Sequence, residues 1–545
     1  SDQQLLVNDG LNRVFVGEQA VDRREFTVDE LGGGHAAGVL EAQQGRVVRI
    51  EIDGDVLMLV QRTRHVAQQR ATDQSGGADG RILRRPGEAG TGQTETVGGA
   101  HDDLVALEQV MKHDLNEAYE HTDEEDLAAI APLVPVKMPL SDFPNPVYAF
   151  RRAAKGARIT KPRHIFLLVG ETYLQQFFDP AFASLNLVSG GRFLKDDPHT
   201  AQLTSALSAG IISRPSIVSL MSGIFDAGLE LNEKESFWTN KLPTALPRQL
   251  KKLGYHAAYW YGGNVTYGNF NQFAPSCGFD EVETATDFCG PDAPKTWVGV
   301  YDNLFLEKAA DMILSGDEER GEYQFHFLYT TSYHGPFKIP LEKYGYDTER
   351  VMPDAPEDIK NSKSLQKNLG TFWFSDQAIG KFLRTMKEAY PDSLFIVTGD
   401  HSYDMSAVLG KTSLMKRDAN LRERHSPVLF FHHPEIDQSL FGENTIGGHM
   451  NILPTIFELI APKDFTYYSL MTSLMDPIDH VVSPYHWLRK DAYGTYSNDF
   501  YQPLGDGFGP QALREGPQPY REEREGYMDL TGYLVRHPEL LGKEE

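Results

Sequence analysis

Short apolar runs alternate with helical patterns along the chain from residue 164 onward. Five runs have the length and composition of buried strands: HIFLLVG (164–170), YHAAYWYGG (255–263), QFHFLYTT (324–331), SLFIVTGD (393–400) and SPVLFFHH (426–433). Three segments have helical spacing: TALPRQLKKLG (244–254), TFWFSDQAIGKFLRTMKEAY (371–390) and NILPTIFELIA (451–461). Because parallel strands need crossover connections, this alternation predicts an α/β fold with a mostly parallel central sheet flanked by helices.

The composition changes along the chain and predicts four parts. A poorly structured, low-complexity N-terminal extension of unknown role comes first, then a linker with a short helix, then the main α/β domain, then a C-terminal tail. Their predicted bounds are 1–115, 116–160, 161–490 and 491–545.

The predicted extension has few aromatic residues. Its stretch 71–100 holds eight glycines and no aromatic residue, which is typical of a flexible segment. Two apolar runs, VVRIEI (47–52) and DVLMLVQ (55–61), are predicted to pair as a hairpin across Asp53-Gly54. No residue in this part indicates chemistry.

The chain is strongly acidic. Its 545 residues carry a formal net charge of −25, and 40% of them are hydrophobic, enough for a large core. Such a surface repels nucleic acid and anionic lipid headgroups at long range, so a nucleic-acid partner is not expected. An anionic substrate would need a local positive site, such as a metal ion or a few focused Arg and His side chains.

Cysteine content and hydropathy bear on where the chain works. No run of about 18 apolar residues occurs, so no transmembrane helix is predicted, and the first residues do not resemble a signal peptide. The sequence is equally compatible with a piece of a longer membrane protein. Cys277 and Cys289 are too few for a disulfide scaffold. They suit one disulfide in an exported domain or two free thiols, and the sequence leaves both open.

Acidic and imidazole side chains follow three of the predicted strands. Glu171 follows LLVG, Asp400 and His401 follow FIVTG, and His334 follows HFLYTT in the segment SYHGPF. Carboxylate oxygen and imidazole nitrogen together suit Mn²⁺, Zn²⁺ or Mg²⁺. Each residue alone also fits a helix N-terminus or a turn. Their convergence at three strand ends favours a metal or phosphoryl site.

A serine-rich segment, SAGIISRPSIVSLMSG (208–223), places a hydroxyl at a predicted helix start. Ser213 and Ser216 flank Pro215 ahead of the apolar run IVSLM. Backbone N–H groups at a helix N-terminus favour a phosphoryl group, so Ser213 is a candidate nucleophile. An ordinary helix cap has the same pattern.

Together these motifs resemble the alkaline phosphatase/sulfatase superfamily. VGET with Glu171, Ser213 at the position of the nucleophilic Thr, HGPF with His334 and TGDH (398–401) occur in the order found in lipoteichoic acid synthases and related phosphoglycerol transferases. The resemblance covers about residues 140–490, so 161–490 is expected to be a sulfatase-like catalytic domain.

The resemblance implies a site and a cofactor. One Mn²⁺ ion, with Mg²⁺ or Zn²⁺ as alternatives, is expected to be bound by Glu171, Ser213, Asp400 and His401. Ser213 and His334 are expected to act in catalysis. His334 and four further residues are expected to contact the substrate: Asn269, Arg422, Arg424 and His425. His449 is expected either near the metal pocket or at a helix N-terminus.

The segment 261–280 departs from the family pattern. It has no Arg and no Trp after Gly262, where the family normally binds the glycerol-phosphate group. Asn269 stands there instead, and Arg422, Arg424 and His425 are candidates to supply the positive charge. His425-Ser426-Pro427 is similar to a segment of phosphoethanolamine transferases.

The resemblance also implies an activity. The expected reaction moves glycerol phosphate, or a similar headgroup, from a phospholipid to an alcohol on a cell-envelope polymer or glycan, through a Ser-linked intermediate. Phosphoethanolamine transfer, sulfatase or phosphodiester hydrolysis, and an inactive binding module are the alternatives. SRPSI is similar to the sulfatase signature but has Ile217 where Arg is usual. The expected location is the extracytoplasmic face of the cell membrane, with a full-length form anchored in it.

Overall fold

The structure is a computed structural model. It describes residues 121–239, 241–496, 500–504, 514–515 and 519–543, together with the backbone of six strands between residues 3 and 60. The chain divides into two compact units, Ser1–Thr96 and Val97–Glu545. The finer division into four parts stays a prediction.

The first unit contains two small antiparallel sheets. One pairs β1 with β2, and the other has the order β3-β4-β5-β6. The predicted hairpin is confirmed, because β5 and β6 pair from Ile52 opposite Asp55 to Val47 opposite Val60. The glycine-rich stretch 71–100 lies outside the described residues. The strands are β1 (Gln3–Leu5), β2 (Val14–Val16), β3 (Arg24–Thr27), β4 (Ala37–Gln43), β5 (Val47–Ile52) and β6 (Asp55–Val60).

The second unit is built on a seven-stranded sheet of order β12-β11-β13-β8-β14-β15-β9. Its strands β12, β11, β13, β8 and β14 are parallel, and β15 is antiparallel to both β14 and β9. The predicted mostly parallel α/β sheet is therefore confirmed. The strands are β7 (Arg151–Ala153), β8 (His164–Gly170), β9 (Thr200–Gln202), β10 (Ser205–Leu207), β11 (Tyr255–Tyr261), β12 (Glu281–Thr284), β13 (Tyr323–Tyr329), β14 (Leu394–Gly399) and β15 (Leu429–His432).

Smaller sheets complete the second unit. Strands β10 and β16 pair in parallel, β7 and β17 pair antiparallel, and β18 to β22 form a five-stranded antiparallel sheet. These strands are β16 (Ile446–Gly448), β17 (Thr466–Tyr468), β18 (His480–Val482), β19 (His486–Arg489), β20 (Ala492–Thr495), β21 (Phe500–Pro503) and β22 (Arg514–Glu515).

Helices cover the sheet. They are α1 (Asp123–Ile130), α2 (Ser189–Lys195), α3 (Ser213–Ser222), α4 (Glu235–Thr239), α5 (Leu246–Lys251), α6 (Phe270–Cys277), α7 (Ala285–Phe288), α8 (Asp302–Ser315), α9 (Thr348–Val351), α10 (Glu357–Lys360), α11 (Lys363–Ala389), α12 (Ser406–Leu409), α13 (Leu421–His425), α14 (Ile452–Ile460) and α15 (Arg521–Arg536). Helix α11 begins eight residues before the predicted 371, because Ser362 caps it and its first turns are polar.

The core lies on both faces of strand β8. All seven of its residues are buried. Ile165, Leu167 and Val169 belong to one hydrophobic cluster, whereas Phe166 and Leu168 belong to the other. This division follows from the two-residue period of a strand. A central strand buried on both faces explains why the sequence of β8 is a continuous apolar run.

Two further findings bear on the predictions. Cys277 and Cys289 are both free thiols, so the disulfide alternative is not formed. Among the described residues, none of the helices combines the length and apolar character needed to cross a bilayer.

Candidate metal centre and active site

Two strand ends bring Glu171 and Asp400 together. Strands β8 and β14 are parallel neighbours, and Gly170 is the register partner of Gly399. Glu171 and Asp400 are the next residues of their strands, so they leave the sheet side by side. A Cβ on Gly399 would lie 2.4 Å from the backbone oxygen of Tyr173, which excludes any larger residue there. The register and this close backbone approach fix the spacing of the two carboxylates.

His401 completes a three-residue cluster. Its Nε2 lies 3.7 Å from Oε1 of Glu171 and 3.6 Å from Oδ2 of Asp400. One ligand atom from each of the three residues lies within 4.8 Å of the others. Nδ1 of His401 lies 2.8 Å from the carbonyl oxygen of Ser402, and since a carbonyl only accepts, Nδ1 carries the proton. Nε2 is thereby directed to the two carboxylates.

Ser213 faces this cluster from the start of helix α3. Its Oγ lies 3.4 Å from Oε2 of Glu171 and 3.3 Å from Nε2 of His401. The helix is attached to the same strand end, because Ser216 donates a hydrogen bond from its Oγ to the backbone oxygen of Asp400. The hydroxyl of Ser213, which was expected at a helix start, thus lies beside the predicted metal ligands Glu171 and His401.

Tyr329 is a part of the cluster that sequence reasoning missed. Its hydroxyl lies 2.8 Å from Oε2 of Glu171 and 2.9 Å from Oδ2 of Asp400. Tyr329 is the last residue of β13, next to β8 in the sheet. The sequence signal that could have found Tyr329 is its position at the end of a predicted strand, the feature that it shares with the strand preceding Glu171.

Burial and charge set the electrostatics of the cluster. Glu171 is 4% exposed and Asp400 is fully buried. Burial, helped by the charge of Asp400, raises the pKa of Glu171 to about 8. Burial alone would lower the pKa of His401, but Asp400 and Glu171 outweigh it and raise the pKa. A divalent cation would relieve the repulsion between the two carboxylates.

The orientation of Asp400 also suits a cation. Its Oδ1 accepts hydrogen bonds from the backbone N–H groups of Thr172, at 2.7 Å, and His401, at 2.8 Å. Its Oδ2 is left to face Tyr329 and His401. Two carboxylates and one imidazole are a donor set that Mn²⁺ and Zn²⁺ accept, so these residues fit the expected ion.

His334 lies on the loop after β13. Its ring meets the exposed Trp297 edge-on at 4.8 Å, and the Trp297 Nε1–H donates to the carbonyl oxygen of Gly335 at 2.8 Å. Among the described residues, no hydrogen bond or ion pair joins His334 to Ser213 or Glu171. Its role stays a prediction.

Asp302 holds the base of that loop. Its Oδ1 accepts from the backbone N–H groups of Thr331, at 3.0 Å, and Ser332, at 3.1 Å. The hydroxyl of Ser375 donates to its Oδ2. This fully buried carboxylate therefore anchors the segment that carries His334.

The three basic residues of helix α13 contact protein groups. Arg422 is buried and pairs with Asp179 through both terminal nitrogens, at 2.6 and 3.0 Å. Arg424 donates from Nε to the backbone oxygen of Ala419 at 2.9 Å. The ring of His425 lies 4.1 Å from that of His486, and burial lowers the pKa of His425 to about 3. Their substrate contacts stay predictions.

Asn269 and Arg214 lie beside the start of α3. Asn269 adopts a left-handed backbone conformation (φ 53°), and its amide donates to Glu233. Arg214, which was not predicted, lies 3.4 Å from Glu233 and 3.5 Å from Glu230, with its guanidinium 5.2 Å from the centre of the Tyr267 ring. Arg214 directly follows Ser213 in helix α3, and its observed contacts are with these two carboxylates and this ring.

His449 forms hydrogen bonds with the segments that carry the site residues. Its Nε2 lies 2.9 Å from the carbonyl oxygen of Gly399, and its Nδ1 accepts from the N–H of Ala209 at 3.2 Å and lies 3.1 Å from the hydroxyl of Ser216. Burial lowers the pKa of His449 to about 4, so the ring is neutral near pH 7. It joins the end of β14 to α3.

Comparisons with known proteins agree with this architecture. A sulfatase family model matches residues 198–461. The lipoteichoic acid synthase LtaP from Listeria monocytogenes is similar at 17% identity and a TM-score of 0.51, over 71% of this chain and 93% of that one. A protein of the alkaline phosphatase superfamily from Vibrio parahaemolyticus is similar at 18% identity and a TM-score of 0.56, over 78% and 98%. At these identities the likeness shows the fold. Residues 198–461 are thus similar to a sulfatase domain, and the chain has the fold seen in proteins of the alkaline phosphatase/sulfatase superfamily.

Proposed function

We propose that this chain is a metal-dependent phosphotransferase in which Ser213 carries the transferred group. The observation that carries the proposal is the position of the Ser213 hydroxyl, 3.4 Å from Glu171 and 3.3 Å from His401. A hydroxyl at a helix start, facing two buried carboxylates and an imidazole, suits covalent transfer of a phosphoryl group.

Glu171, Asp400, His401 and Ser213 would hold one ion, Mn²⁺ with Mg²⁺ or Zn²⁺ as alternatives. When bound, such an ion lowers the pKa of a hydroxyl and offsets charge on phosphoryl oxygens. The chain contributes the geometry. The Asp400 carboxylate is fixed by the N–H groups of Thr172 and His401, and the imidazole of His401 is fixed by Ser402.

The proposed reaction has two transfers on one serine. Ser213 loses its proton to solvent, and its Oγ forms a bond to the phosphorus of a phosphodiester, most simply phosphatidylglycerol. The bond from phosphorus to the lipid oxygen breaks, and diacylglycerol leaves with a proton. The oxygen of an alcohol on a polymer or glycan then forms a bond to the phosphorus, and the bond from phosphorus to Oγ of Ser213 breaks. The alcohol loses its proton to solvent, and Oγ takes up a proton, which restores Ser213. His334 and Arg214 are proposed to interact with the non-bridging oxygens.

Hydrolysis is the second candidate function. The match of residues 198–461 to the sulfatase model favours it, since sulfatases hydrolyse sulfate esters. The single acid Glu171 in the first motif, and Ile217 where the sulfatase signature has Arg, favour phosphotransfer. Phosphoethanolamine is the alternative headgroup, suggested by His425-Ser426-Pro427.

The setting of the reaction is also a proposal. A phospholipid donor and a cell-envelope acceptor place the domain on the extracytoplasmic face of the membrane. A full-length form anchored in that membrane would bring Ser213 to its lipid substrate.

Intact mass tests the nucleophile and the headgroup together. The purified chain is incubated with Mn²⁺ and phosphatidylglycerol, beside Ser213→Ala and a control substitution at the exposed Ser364, Ser364→Ala. A glycerophosphoryl adduct on the parent and the control, but not on Ser213→Ala, is the expected result. An adduct that forms only with phosphatidylethanolamine would identify phosphoethanolamine as the transferred headgroup. Release of inorganic sulfate from a sulfate ester by the parent would favour the sulfatase. An adduct that survives Ser213→Ala would refute the proposed nucleophile.

A further inference from the structure

A second cluster of side chains that could hold a metal ion lies away from Ser213, between the helices α1 and α15. His121 precedes helix α1, Asp126 lies on α1, and Asp529 lies on α15. The two helices pack against each other. Gly526 allows their close approach, because a Cβ there would lie 2.5 Å from the backbone oxygen of Ala129.

The donor atoms have the spacing of metal ligands. Nδ1 of His121 lies 3.5 Å from Oδ1 of Asp126 and 3.2 Å from Oδ1 of Asp529, and the three atoms lie within 4.8 Å of one another. Tetrahedral bonds of about 2.0–2.2 Å to nitrogen and oxygen separate neighbouring ligand atoms by about 3.3–3.6 Å. The observed distances therefore leave room for one ion between the three side chains.

Two of these donor atoms are buried without a hydrogen bond. Asp126 is 1% exposed, and Arg536 pairs with its Oδ2. Within the described part of the chain, its Oδ1 makes no hydrogen bond, and neither does Nδ1 of His121. Buried polar atoms are normally satisfied, so the unsatisfied Oδ1 of Asp126, 3.5 Å from Nδ1 of His121, indicates a missing cation between the two atoms.

A polar cavity adjoins the cluster. It has a volume of about 730 Å³, and His121 and Asp529 line it together with Glu125, Glu522, Glu523 and Glu525. This lining attracts cations and repels anions. The cavity therefore offers an entry path and room for water at the remaining coordination positions.

We infer that His121, Asp126 and Asp529 form a second divalent-metal site, of a chemistry that favours Zn²⁺, which links α15 to α1. One imidazole with two carboxylates suits Zn²⁺ better than Ca²⁺ or Mg²⁺, which prefer oxygen ligands alone. The charge of the cluster also suits a cation, because the two carboxylates of Asp126 and Asp529 are balanced by only one neighbouring guanidinium, that of Arg536. Burial raises the pKa of Asp529 to about 6, and the neighbouring Asp126 adds to the shift. The inference does not rest on the proposed function of Ser213.

The experiment counts ions in the full chain after the first centre has been removed. Glu171→Ala/Asp400→Ala is stripped with a chelator, returned to Zn²⁺ and analysed by native mass spectrometry, calorimetric titration and thermal unfolding at pH 7.5. One Zn²⁺ per chain and a rise in Tm with Zn²⁺ are expected. Adding His121→Ala, or separately Asp529→Asn, should weaken Zn²⁺ binding at least about tenfold, as loss of even an outer-shell partner does.

A matched control lies on the same helix pair. His537 follows α15 and contacts Asp123 at 2.9 Å, outside the cluster, so His537→Ala should keep both the ion and the Tm rise. Circular dichroism shows whether each variant is folded. Absence of Zn²⁺ from the Glu171→Ala/Asp400→Ala chain would overturn the inference, as would Zn²⁺ binding that survives both His121→Ala and Asp529→Asn. A different outcome is a Tm that rises when the pH is lowered without Zn²⁺, and a rise that disappears in His121→Ala. That result would overturn the metal site and assign an ion pair between protonated His121 and the two carboxylates.

Discussion

The hydroxyl of Tyr329 donates a hydrogen bond of 2.8 Å to Oε2 of Glu171, across two neighbouring strands of the central sheet. It also lies 2.9 Å from Asp400, so one phenol orients both carboxylates of the candidate metal centre. Residues that orient metal ligands contribute to affinity without touching the ion.

Tyr329→Phe should therefore weaken metal binding by about 10- to 100-fold, because the carboxylates lose the group that fixes their orientation. Calorimetric titration of the chelator-treated chain with Mn²⁺ measures the change. Tyr323→Phe is the matched control at the other end of the same strand, where the side chain is only half-buried. Equal affinities for Tyr329→Phe and the parent would show that Tyr329 does not orient the ligands.

Arg214 should affect turnover far more than stability. Its side chain is 28% exposed and its ion pairs with Glu230 and Glu233 are long, so Arg214→Ala should change the free energy of unfolding by only about 0–1 kcal/mol. If the cation stabilises the phosphoryl group beside Ser213, kcat/KM should fall about 10- to 1,000-fold. Urea titration and steady-state kinetics measure the two quantities separately.

Arg214→Lys serves as the control for charge. It keeps one positive charge and should recover part of the lost kcat/KM, whereas a packing role for Arg214 would leave both variants equally impaired.

Asp302 should be needed for the stability of the loop that carries His334. Asp302→Ala leaves the buried N–H groups of Thr331 and Ser332 without their acceptor, at a cost of about 1–3 kcal/mol for each group. Chemical denaturation should show the loss in the free energy of unfolding. Asp302→Asn keeps one acceptor oxygen and should lose less. A cost for Asp302→Ala below about 1 kcal/mol would contradict the anchoring role.

Acid should destabilise the fold through its buried histidines. Burial lowers the pKa of His425 to about 3 and that of His449 to about 4, below the ordinary 6.5 of the unfolded chain. As the pH falls below 6.5 the unfolded state binds protons that the folded state does not, so folding stability falls. Each such group contributes a slope of up to about 1.4 kcal/mol per pH unit between its two pKa values.

Denaturant titrations at pH 7 and pH 5 measure that slope. His425→Phe keeps an aromatic ring against His486 and removes one titrating group, so its stability should depend less on pH than that of the parent. His256→Phe, the same substitution at a half-buried histidine, is the control. An equal pH dependence for His425→Phe and the parent would contradict the assignment of His425 as neutral.

The main residues of the candidate site could be predicted from the sequence, because the segment around each one has a local signal. The apolar run of β8 and the Gly-Asp-His ending of β14 place Glu171, Asp400 and His401 at strand ends, and the apolar run after Ser213 marks a helix. Parallel strands end at one edge of a sheet, so these residues were expected to converge.

The remaining features depend on contacts between distant segments. Arg422 is predicted to contact a substrate from its charge and its position just before a strand, and its observed partner Asp179 lies 243 residues away in sequence. Tyr329 is predicted only as part of the strand 324–331, because only the strand order places its hydroxyl between Glu171 and Asp400. The cluster of His121, Asp126 and Asp529 joins positions more than 400 residues apart, a separation over which sequence spacing carries no information.

The pairing of Gly170 with Gly399 has a consequence for how such a protein can change. A slip of one residue between β8 and β14 would turn one of the carboxylates to the opposite face of the sheet. Insertions and exchanges in the surrounding loops leave that register untouched. The two carboxylates are thus held as one rigid unit, while the surrounding loops are free to diverge or to be grafted from a relative.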